Sequence, residues 1–451
     1  PALALADMCV EITGATPIGA YLDGEQIIAA AKQTGVQAIH PGYGFLSENA
    51  AFARRVAQAG LVFVGPRPEA IELMGDKVRA RAFVAKRGFP VAASAIEDDE
   101  PSTFLARSRA LGAPLLIKPS AGGGGRGMRI VRDLNILDVE IARARSEAQR
   151  SFGDGRLYVE RYFERPRHIE VQILGDADGN CVHLFERECS IQRRFQKVIE
   201  EAPSPALTPQ LRQRICETAV GIAAAAKYDN AGTIEFIYSN GDFFFLEMNT
   251  RLQVEHPVTE MITGIDLVGE QLRIAAGDPL GYGQDDIARR GCAFEMRIYA
   301  EDPARDFAPT TGQVLLLAAP EQNSRVRVDV GVAEGQLITA AFDPMLAKVC
   351  VHGETRGEAL ALADQALAQF VLLGCRTNKD FLRRLLADSD VSAGNLHTSL
   401  IGEKPDLLTP PPPPPEIVAA VLGAGALSSR SVREAADAVP ALQAAIGGWR
   451  N

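Results

Sequence analysis

Polar and apolar residues alternate along the stretch from Phe243 to His256, which begins as an apolar run and ends in charged residues. Successive side chains of a β-strand point to opposite faces, so the alternation predicts a strand with one polar and one apolar face. The polar face would carry Glu247, Asn249 and Arg251, and the apolar face Phe244, Leu246 and Met248. We expect the apolar face to pack in a core and the polar face to line a site. A solvated edge strand is the alternative.

The residues just before this stretch predict a β-hairpin. Residues 233–238 form a second strand-like run, and Ser-Asn-Gly-Asp at 239–242 is a turn signal. A two-residue turn at Asn240-Gly241 would place Ile234 opposite Glu247, whereas a three-residue bulged loop would place Glu235 there. Facing carboxylates repel by up to ~1 kcal/mol, and a divalent cation converts that repulsion into a ligand set. We predict the bulged loop over residues 240–242 and a metal site between the two glutamates.

The rest of the chain alternates between strand-like and helix-like periodicity, which is typical of a mixed α/β protein. Residues 165–174 have the polar and apolar alternation of a half-buried strand. The predicted strands are 6–12, 36–39, 61–64, 114–117, 128–131, 157–160, 165–174, 181–186, 293–300, 314–317, 326–330 and 346–352. The predicted helices are 24–34, 67–87 with a break near Gly75, 101–111, 134–149, 208–227, 257–276, 356–370 and 377–386.

Composition narrows the class of protein. A chain of 451 residues is long enough for two to four domains, and 47% hydrophobic with 23% charged residues is typical of a globular protein. The net charge of −10 argues against a nucleic-acid backbone as the main partner. Seven cysteines without a close pair indicate neither a zinc site nor a disulfide framework, and favour a reducing compartment. No apolar run approaches the ~18 residues of a membrane span.

Both ends of the chain suggest a piece of something longer. The sequence begins at Pro1 without a methionine, and we interpret it as a fragment. Prolines at 410–415 predict a semi-rigid polyproline spacer that cannot join a core. Residues 416–450 are alanine-rich and look like the first helix of a further domain.

A glycine-rich loop is the strongest local sign of chemistry. The strand at 114–117 leads into Lys118 and the sequence Pro-Ser-Ala-Gly-Gly-Gly-Gly-Arg-Gly-Met at 119–128. Backbone N–H groups of glycines can approach phosphate oxygens closely, and Arg126 can add bidentate charge. Because a strand follows, the loop matches neither the Walker pattern nor a GxGxxG that opens a helix. We interpret it as a flexible hairpin tip that folds over a nucleotide, with a flexible linker as the alternative.

Three other features of the sequence are less specific, and two of them can be interpreted in two ways. The loop at 40–49 follows a strand, where ligands bind in open α/β sheets, but it could be a plain connection. Lys197 could hold an anion or form half of an ordinary salt bridge. Lys77 by itself would be a solvated surface lysine.

Taken together, these residues resemble the biotin carboxylases, the ATP-grasp component of the biotin-dependent carboxylases. The resemblance runs from about residue 6 to residue 400. Its segments are HPGYGFLSEN at 40–49, LMGDK at 73–77, GGGGRGM at 122–128, QKV at 196–198 with EEAP at 200–203, and EMNTRLQVEHPVTE at 247–260. The last of these is highly specific.

The resemblance implies an ATP-grasp fold in four parts. These are an incomplete N-terminal α/β domain at 1–90, a mobile glycine-rich lid at 91–163, a C-terminal mixed-sheet region at 164–405, and the spacer with the start of a further domain at 406–451. It also implies a two-step reaction: bicarbonate attacks the γ-phosphate of ATP, with Mg²⁺ or Mn²⁺, to give carboxyphosphate, and the carboxyl group then passes to N1′ of biotin.

The resemblance also implies a role for each matching residue. Those that would hold ATP are Lys77, Lys118, Gly123, Gly124, Gly125, Arg126, Gly127, Met128, Glu160, Phe163, His168, Gln192 and Leu396. Those that would bind the metal ions are Glu235, Glu247 and Asn249. Lys197, Arg251, Gln253 and Val254 would surround bicarbonate, Glu255 would deprotonate it, and Arg297 would stabilise the biotin enolate. Tyr43 and Gly44 would contact the biotin ring.

The chain departs from the family pattern at several points. Phe195 stands where a histidine is usual beside the nucleotide, and Arg161 where a lysine is common. The family's opening unit with its Ala-Asn-Arg-Gly-Glu-like motif does not precede Pro1, and the sequence contains no Ala-Met-Lys-Met biotinylation motif. We therefore expect biotin to come from a carrier domain or subunit, with a carboxyltransferase partner, in an oligomeric holoenzyme. We expect the bacterial cytoplasm in preference to the mitochondrial matrix.

Two other functions share part of this pattern. Another ATP-grasp ligase, such as a carboxylate-amine ligase or a purine-pathway carboxylase, would share the glycine loop and the metal-binding residues. A nucleotide-binding assembly module that has lost turnover is the non-enzymatic alternative, which Phe195 makes plausible. Arg251, Gln253 and Glu255, together with Arg297, favour biotin carboxylation.

Overall fold

The structure is a computed structural model that describes residues 4–97, 101–120, 127–412 and 414–428. Its chain divides into two units, Pro1–Leu408 and Thr409–Asn451. The helices of the first unit are α1 (Pro17–Leu22), α2 (Gly24–Thr34), α3 (Ala50–Gln58), α4 (Pro68–Gly75), α5 (Lys77–Lys86), α6 (Phe104–Ala110), α7 (Leu137–Phe152), α8 (Pro209–Ala225), α9 (His256–Thr263), α10 (Leu267–Ala275), α11 (Arg356–Gln369), α12 (Lys379–Ala387), α13 (Ser389–Ala393) and α14 (Leu400–Glu403).

The strands all belong to the first unit. They are β1 (Ala38–Ile39), β2 (Val62–Phe63), β3 (Ser94–Ile96), β4 (Leu115–Pro119), β5 (Arg129–Val131), β6 (Leu157–Arg161), β7 (Arg167–Gly175), β8 (Cys181–Arg193), β9 (Gln196–Ala202), β10 (Asn230–Ser239), β11 (Asp242–Asn249), β12 (Cys292–Tyr299), β13 (Glu301–Asp302), β14 (Ala308–Pro309), β15 (Gly312–Gln313), β16 (Leu316–Ala318), β17 (Val326–Val330), β18 (Leu337–Ile338), β19 (Met345–Gly353) and β20 (Val371–Leu373).

An eight-stranded antiparallel sheet, in the order β11-β10-β7-β8-β9-β12-β19-β17, organises the site. Two apolar clusters pack against it. One joins β7, β10 and β11 to helices α4, α5 and α8, and the other joins β9, β12, β17 and β19 to α11 and α12. The apolar side chains of these strands face the helices, so the alternate residues, many of them charged, lie together on the other face.

Two smaller sheets flank this one in sequence. Strands β3, β6, β4 and β5 form a four-stranded antiparallel sheet whose apolar side chains pack with α7. Strands β1 and β2 pair in parallel near α2 and α3. The pairing of β4 with β5 confirms that the glycine loop is a hairpin connection, although residues 121–126 lie outside the described residues.

The mixed α/β class and most of the predicted elements are confirmed. The predicted break in the helix at 67–87 occurs at Asp76, whose carboxylate accepts the N–H of Arg79 and caps α5. The strand predicted at 6–12 is wrong, because these residues are largely exposed and have no strand pairing. The helix predicted at 257–276 is two helices, because Gly264 ends α9 in the left-handed conformation and Asp266 caps α10.

Strands β7 and β8 differ from the prediction in burial and length. Residues 168–175 are buried on both faces, since one face packs in the core and the other is covered by the polar site. A strand alternates polar and apolar residues whether its polar face is exposed to solvent or buried in a polar site. The alternation therefore predicted a half-buried strand where the structure has a buried one. Strand β8 continues seven residues beyond Glu186, to Arg193.

The loop of the β10–β11 hairpin differs from the predicted one, but Glu235 and Glu247 face each other as predicted. Ser239 pairs with Asp242, so the connection is the two-residue turn at Asn240-Gly241, both of which have positive φ. A bulge in β11, where Leu246 has no partner, shifts the register between Glu235 and Phe236. Glu235 therefore lies opposite Glu247, as predicted, for a different reason.

The same bulge changes which side chains face the core. Phe243, Phe245 and Met248 are buried among apolar residues, whereas Phe244 and Leu246 are half-buried. The predicted apolar face of Phe244, Leu246 and Met248 is therefore wrong for the first two residues, because the extra residue reverses the alternation on the turn side of the bulge.

The second unit contains the helix α15 (Pro415–Ser428), which starts at the end of the proline run. Residues 429–451, the rest of the alanine-rich segment, lie outside the described residues. No helix among the described residues meets the length and hydropathy of a membrane-crossing segment.

Candidate active site

A row of paired charged residues crosses the middle of the eight-stranded sheet. Glu247 of β11 lies opposite Glu235 of β10, which lies opposite Glu170 of β7, which lies opposite Arg187 of β8. Directly paired residues project to the same face of a sheet. The row therefore brings three carboxylates and a guanidinium onto one face, and only the two glutamates of the β10–β11 hairpin were predicted to lie together there.

Arg187 is fully buried at the centre of this face. Its guanidinium donates to Glu170 Oε1 at 2.5 Å and to Gln172 Oε1 at 2.8 Å. It also donates to Gln253 Oε1 at 2.8 Å, and to the hydroxyls of Thr259 and Thr233 at 2.9 and 3.1 Å. A buried charge is tolerated only when paired and hydrogen-bonded. Arg187 meets this requirement by connecting three strands, the segment after β11 and helix α9.

Lys197, on β9, contacts three carboxylates. Its Nζ lies 2.5 Å from Glu170 Oε2, 2.6 Å from Glu255 Oε1 and 3.0 Å from Glu235 Oε1. Burial would lower the pKa of Lys197, but the three glutamates hold it well above its usual value. The sequence left two interpretations of Lys197 open, a salt bridge and an anion-binding residue. The structure shows the salt bridge, and the ammonium stays charged, so it can also attract an anion.

Glu255 is held between two cations. It immediately precedes α9, is 2% exposed, and its second oxygen, Oε2, accepts a hydrogen bond from Arg297 Nη2 at 2.8 Å. Burial alone would raise the pKa of Glu255, but Lys197 and Arg297 lower it well below its usual range. The two cations therefore keep this carboxylate ionised, which is the form that its predicted role as a base requires.

Arg251 has a different partner. Its Nε donates to Glu48 Oε2 at 3.0 Å, and its Nη2 donates to Asn249 Oδ1 at 3.3 Å. The other oxygen of Glu48 accepts the N–H of Thr250 at 3.1 Å. Glu48 belongs to the loop at 40–49, so this loop is fixed to the end of β11.

The three residues predicted to bind metal ions are close to one another. Asn249 Nδ2 donates to Glu235 Oε1 at 2.8 Å, Glu235 lies opposite Glu247, and Lys77 Nζ is 2.6 Å from Glu247 Oε2. Two carboxylates and an amide oxygen are the hard donors that Mg²⁺ and Mn²⁺ prefer, so this donor set fits such an ion. Lys77 is half-buried beside it, and is not the free surface lysine that its local sequence suggested.

A second group, His168, Glu170 and Glu235, has ligand atoms within 4.8 Å of one another. His168 Nε2 lies 2.9 Å from Glu235 Oε2. Burial would lower the pKa of His168, but Glu235 raises it. Glu235 therefore favours the protonated form of the imidazole, whereas a metal ligand must be neutral.

Several residues predicted to contact the nucleotide lie in or beside the two larger sheets. Lys118 Nζ hydrogen-bonds Glu160, which also lies 3.2 Å from Arg81 Nη1. The rings of Phe163 and Phe244 stack with centroids 5.0 Å apart, and Gln192 lies opposite Lys197. Leu396 is buried in the cluster that supports β9 and β12. Gly127 and Met128 lie just before β5, whereas Gly123, Gly124, Gly125 and Arg126 lie outside the described residues.

The residues predicted around bicarbonate and biotin are divided between the buried site and its rim. Gln253 Nε2 donates to Glu235 Oε1 at 2.9 Å, and the carbonyl of Val254 accepts a hydrogen bond from Lys348. Tyr43 is 42% exposed and Gly44 is exposed, both in the loop fixed by Glu48. Phe195, in the β8–β9 turn, is 58% exposed, so replacement of a histidine by phenylalanine there leaves the buried network intact.

Sequence reasoning missed six residues of this network: Glu48, Glu170, Arg187, Glu200, Glu295 and Lys348. One signal was present, since Glu170 alternates with His168 and Gln172 on the polar side of β7. Arg187 gave no signal, because β8 was predicted to end at Glu186. Glu200, Glu295 and Lys348 become neighbours only through the pairing of β9, β12 and β19, and Glu48 joins the network through its hydrogen bonds with Thr250 and Arg251.

Three family descriptions match the chain in order. "Biotin carboxylase, N-terminal domain" matches residues 1–71, "Carbamoyl-phosphate synthase L chain, ATP binding domain" matches 76–282, and "Biotin carboxylase C-terminal domain" matches 295–403. A biotin carboxylase of Allochromatium vinosum is 47% identical over 398 residues, which cover 87% of this chain and 88% of that protein.

Two further relatives are similar over most of this chain. The mitochondrial methylcrotonoyl-CoA carboxylase subunit alpha of Rattus norvegicus is 46% identical over 408 residues, and the match covers 90% of this chain but 57% of that protein. The biotin carboxylase domain of the Hydrogenobacter thermophilus 2-oxoglutarate carboxylase, solved with MgADP, ADP and bicarbonate, is 42% identical with a TM-score of 0.84. That match covers 89% of this chain and 88% of the solved chain.

Proposed function

We propose that this chain, which belongs to the biotin carboxylase family, carboxylates biotin with bicarbonate and MgATP through carboxyphosphate. The single observation that carries the proposal is Glu255, a buried carboxylate held ionised between Lys197 and Arg297. A weak nucleophile such as bicarbonate needs a positioned base, and an anion needs cations around it. The site supplies both within one hydrogen-bonded group.

The residues around Glu255 have different roles in the proposed reaction. Lys197 and Arg297 are positioned to attract bicarbonate, and Glu255 is positioned to accept its proton. Glu170 pairs with both Arg187 and Lys197, and so holds the ammonium of Lys197 in place on the sheet. Because Lys197 bridges Glu170, Glu235 and Glu255, a shift of its ammonium toward a bound anion would keep at least one ionic partner.

The phosphate end of the site lies at the hairpin of β10 and β11. Lys77 and Lys118 would contact phosphate oxygens. Glu235, Glu247 and Asn249 would hold Mg²⁺ or Mn²⁺, which neutralises the charge of the transferred phosphoryl group. The stacked rings of Phe163 and Phe244 offer an apolar wall for the adenine.

Biotin would enter from the loop at 40–49, where Tyr43 and Gly44 are exposed. Arg297 would then stabilise the enolate oxygen of the ureido ring, because its guanidinium reaches the same space as Glu255. The chain spans 57% of the length of the rat relative, so the rest of such a protein lies beyond the match. We propose that a carrier domain or subunit delivers biotin and that a carboxyltransferase consumes it, in an oligomeric holoenzyme of a reducing compartment, the bacterial cytoplasm.

The experiment is a steady-state measurement of ATP hydrolysis by the purified protein with and without bicarbonate and free biotin. We expect hydrolysis to require bicarbonate and to rise when biotin is added. ATP binding without bicarbonate-dependent turnover would favour the assembly module, and hydrolysis that responds to bicarbonate and an amine acceptor but not to biotin would favour another ATP-grasp ligase.

The metal site has its own test. Glu247→Gln removes one anionic ligand and is expected to raise the Mn²⁺ concentration for half-maximal activity by about tenfold or more, the usual cost of weakening a metal site. Mn²⁺ binding measured by electron paramagnetic resonance in the presence of ADP gives a readout without turnover. The control is Glu217→Gln, an exposed residue of α8. Equal Mn²⁺ affinities in the two variants would contradict the assignment of Glu247.

A further inference from the structure

Two buried glutamates face each other beside Arg297. Glu200 of β9 pairs directly with Glu295 of β12, and both side chains are fully buried. The proposed reaction assigns neither of them a role. Like charges directly opposite on neighbouring strands repel, and an unpaired buried charge is far more costly than an exposed one. The pair is therefore stable only if cations compensate both charges or if one carboxyl group is protonated.

The surrounding cations are too few for two charges. Arg297 Nη2 lies 2.5 Å from Glu200 Oε1, but the same nitrogen is 2.8 Å from Glu255 Oε2. Lys348 Nζ lies 3.7 Å from Glu295 Oε2 and 3.4 Å from Asp329. Arg297 Nε is also 4.0 Å from Glu295 Oε1, so Arg297 is shared among both acids of the pair and Glu255, and Lys348 is shared between Glu295 and Asp329.

The two members of the pair are not equivalent. Glu295 is near Lys348, and its Oε2 also accepts a hydrogen bond from the thiol of Cys350 at 3.3 Å. Neither oxygen of Glu200 has a hydrogen-bond partner of good geometry among the described residues, and Arg297 is its one close cation there. Glu200 is therefore the member that gains most from holding a proton.

We propose that Glu200 is a positioning residue for Arg297 that acts in its protonated, neutral form. A neutral carboxyl group still presents the dipole of its carbonyl oxygen to Arg297 Nη2, which lies 2.5 Å from Glu200 Oε1, so it can orient the guanidinium without neutralising it. The positive charge of Arg297 then remains available to Glu255 and to the anions of the reaction. This inference rests on the proposed function for the identity of those anions.

The charges that act on Glu200 agree with this assignment. Burial raises the pKa of Glu200 to about 8, with Arg297 opposing the shift and Glu295 adding to it. The groups that face it or its pair from neighbouring elements are Lys197 on its own strand, Cys189 on β8, Glu255 before α9, Arg297, Glu295 and Tyr299 on β12, and Lys348 and Cys350 on β19. The raised pKa values of Cys189, Lys197, Arg297, Tyr299 and Lys348 leave those groups in their usual protonated state near neutral pH.

The kinetic test is the KM for bicarbonate as a function of pH. With a pKa of about 8, the neutral fraction of Glu200 falls from about one half at pH 8 to about one tenth at pH 9, so the wild-type KM is expected to rise by up to about fivefold over this range. In Glu200→Gln the side chain stays neutral, and the KM should change much less over this range. The same rise in both proteins, or a KM of Glu200→Gln raised at pH 7 to the wild-type value at pH 9, would overturn the proposal.

A neighbouring residue supplies the matched control. Glu201 lies on the opposite face of β9 and forms a two-point ion pair with Arg356, at 2.7 and 3.0 Å. Glu201→Gln makes the same chemical change one residue away, in an equally buried position outside the site. It should keep the wild-type dependence of KM on pH. Loss of that dependence in Glu201→Gln would contradict the assignment to Glu200.

A spectroscopic test needs no turnover. The wild-type protein should show the infrared C=O band of a buried protonated carboxyl group that disappears with a midpoint near pH 8, and Glu200→Gln should lack this band. A wild-type protein without the band would overturn the proposal even if the variant did not fold. Absence of bicarbonate-dependent turnover with the band present would instead count against the proposed function.

Discussion

Glu255→Gln is expected to lower biotin-stimulated, bicarbonate-dependent ATP hydrolysis by roughly 10²- to 10⁴-fold, the usual contribution of a positioned general base. The carboxylate contacts both Lys197 and Arg297, so glutamine keeps an oxygen for one of these hydrogen bonds but cannot accept a proton. The loss should appear in kcat more than in the KM for ATP, because the nucleotide contacts other residues. Initial rates at saturating MgATP and varied bicarbonate separate the two constants.

The control for this variant is a substitution of Glu260, which lies in α9, the helix that begins directly after Glu255. Glu260 pairs with Arg327 at 2.7 Å and caps the N–H of Leu267, away from Lys197. Glu260→Gln should keep kcat within about threefold, since most substitutions outside a site alter stability more than chemistry. If Glu255→Gln retained more than a tenth of the wild-type kcat, Glu255 would be a counter-ion of Lys197 and Arg297 and another group would have to accept the proton.

The pH dependence of Glu255 has a definite sign. Although burial opposes it, the two cations lower the folded-state pKa of Glu255 below its unfolded value. Its ionised form therefore stabilises the fold above the unfolded pKa, and this contribution is lost as the pH falls through the folded-state pKa. The loss occurs in acid, well away from the range near pH 8 in which Glu200 is expected to titrate.

The sequence predicts those site residues that lie close together along one segment of the chain. It fails for residues that become neighbours only through the register of paired strands. Glu247, Asn249 and Glu255 lie within nine residues, so one strand and the start of one helix place all three. The facing of Glu235 and Glu247 was predicted from a bulged loop, but it results from a bulge within β11, which no glycine or proline marks. The pairing of Glu200 with Glu295 depends on two strands 95 positions apart, and nothing in either segment indicates the other.

Arg187 shows the same limit more strongly. Its five hydrogen-bond partners come from β7, β10, the segment after β11 and α9, which are brought together only by the completed sheet. Read locally, an arginine between two glutamates in a strand suggests a solvated edge. The structure instead places it at 0% exposure, where its removal should have a larger effect on stability than that of any surface arginine.

Arg187→Met is accordingly expected to lower the free energy of unfolding by about 3–5 kcal/mol, the cost of breaking a buried ion pair by removing one partner. Methionine fills much of the volume, so the loss reports the missing charge and hydrogen bonds more than a cavity. Glu170 would keep Lys197 and the longer 4.0 Å contact with His168, and Gln172, Gln253 and two threonine hydroxyls would lose a donor. Arg187→Lys should recover only part of the loss, because an ammonium cannot reproduce the planar fork of a guanidinium.

Urea unfolding followed by circular dichroism and by intrinsic fluorescence measures this loss and tests whether the two probes coincide. Arg194→Met is the matched control, since Arg194 follows the end of the same strand, is exposed, and pairs with Asp306 at 2.9 Å. A surface ion pair contributes about 0.2–1 kcal/mol, so the control should shift the unfolding midpoint little. If Arg187→Met and Arg194→Met shifted the midpoint equally, the buried guanidinium would not be what holds these strands and α9 together, and the alignment of Lys197 with Glu255 would need another cause.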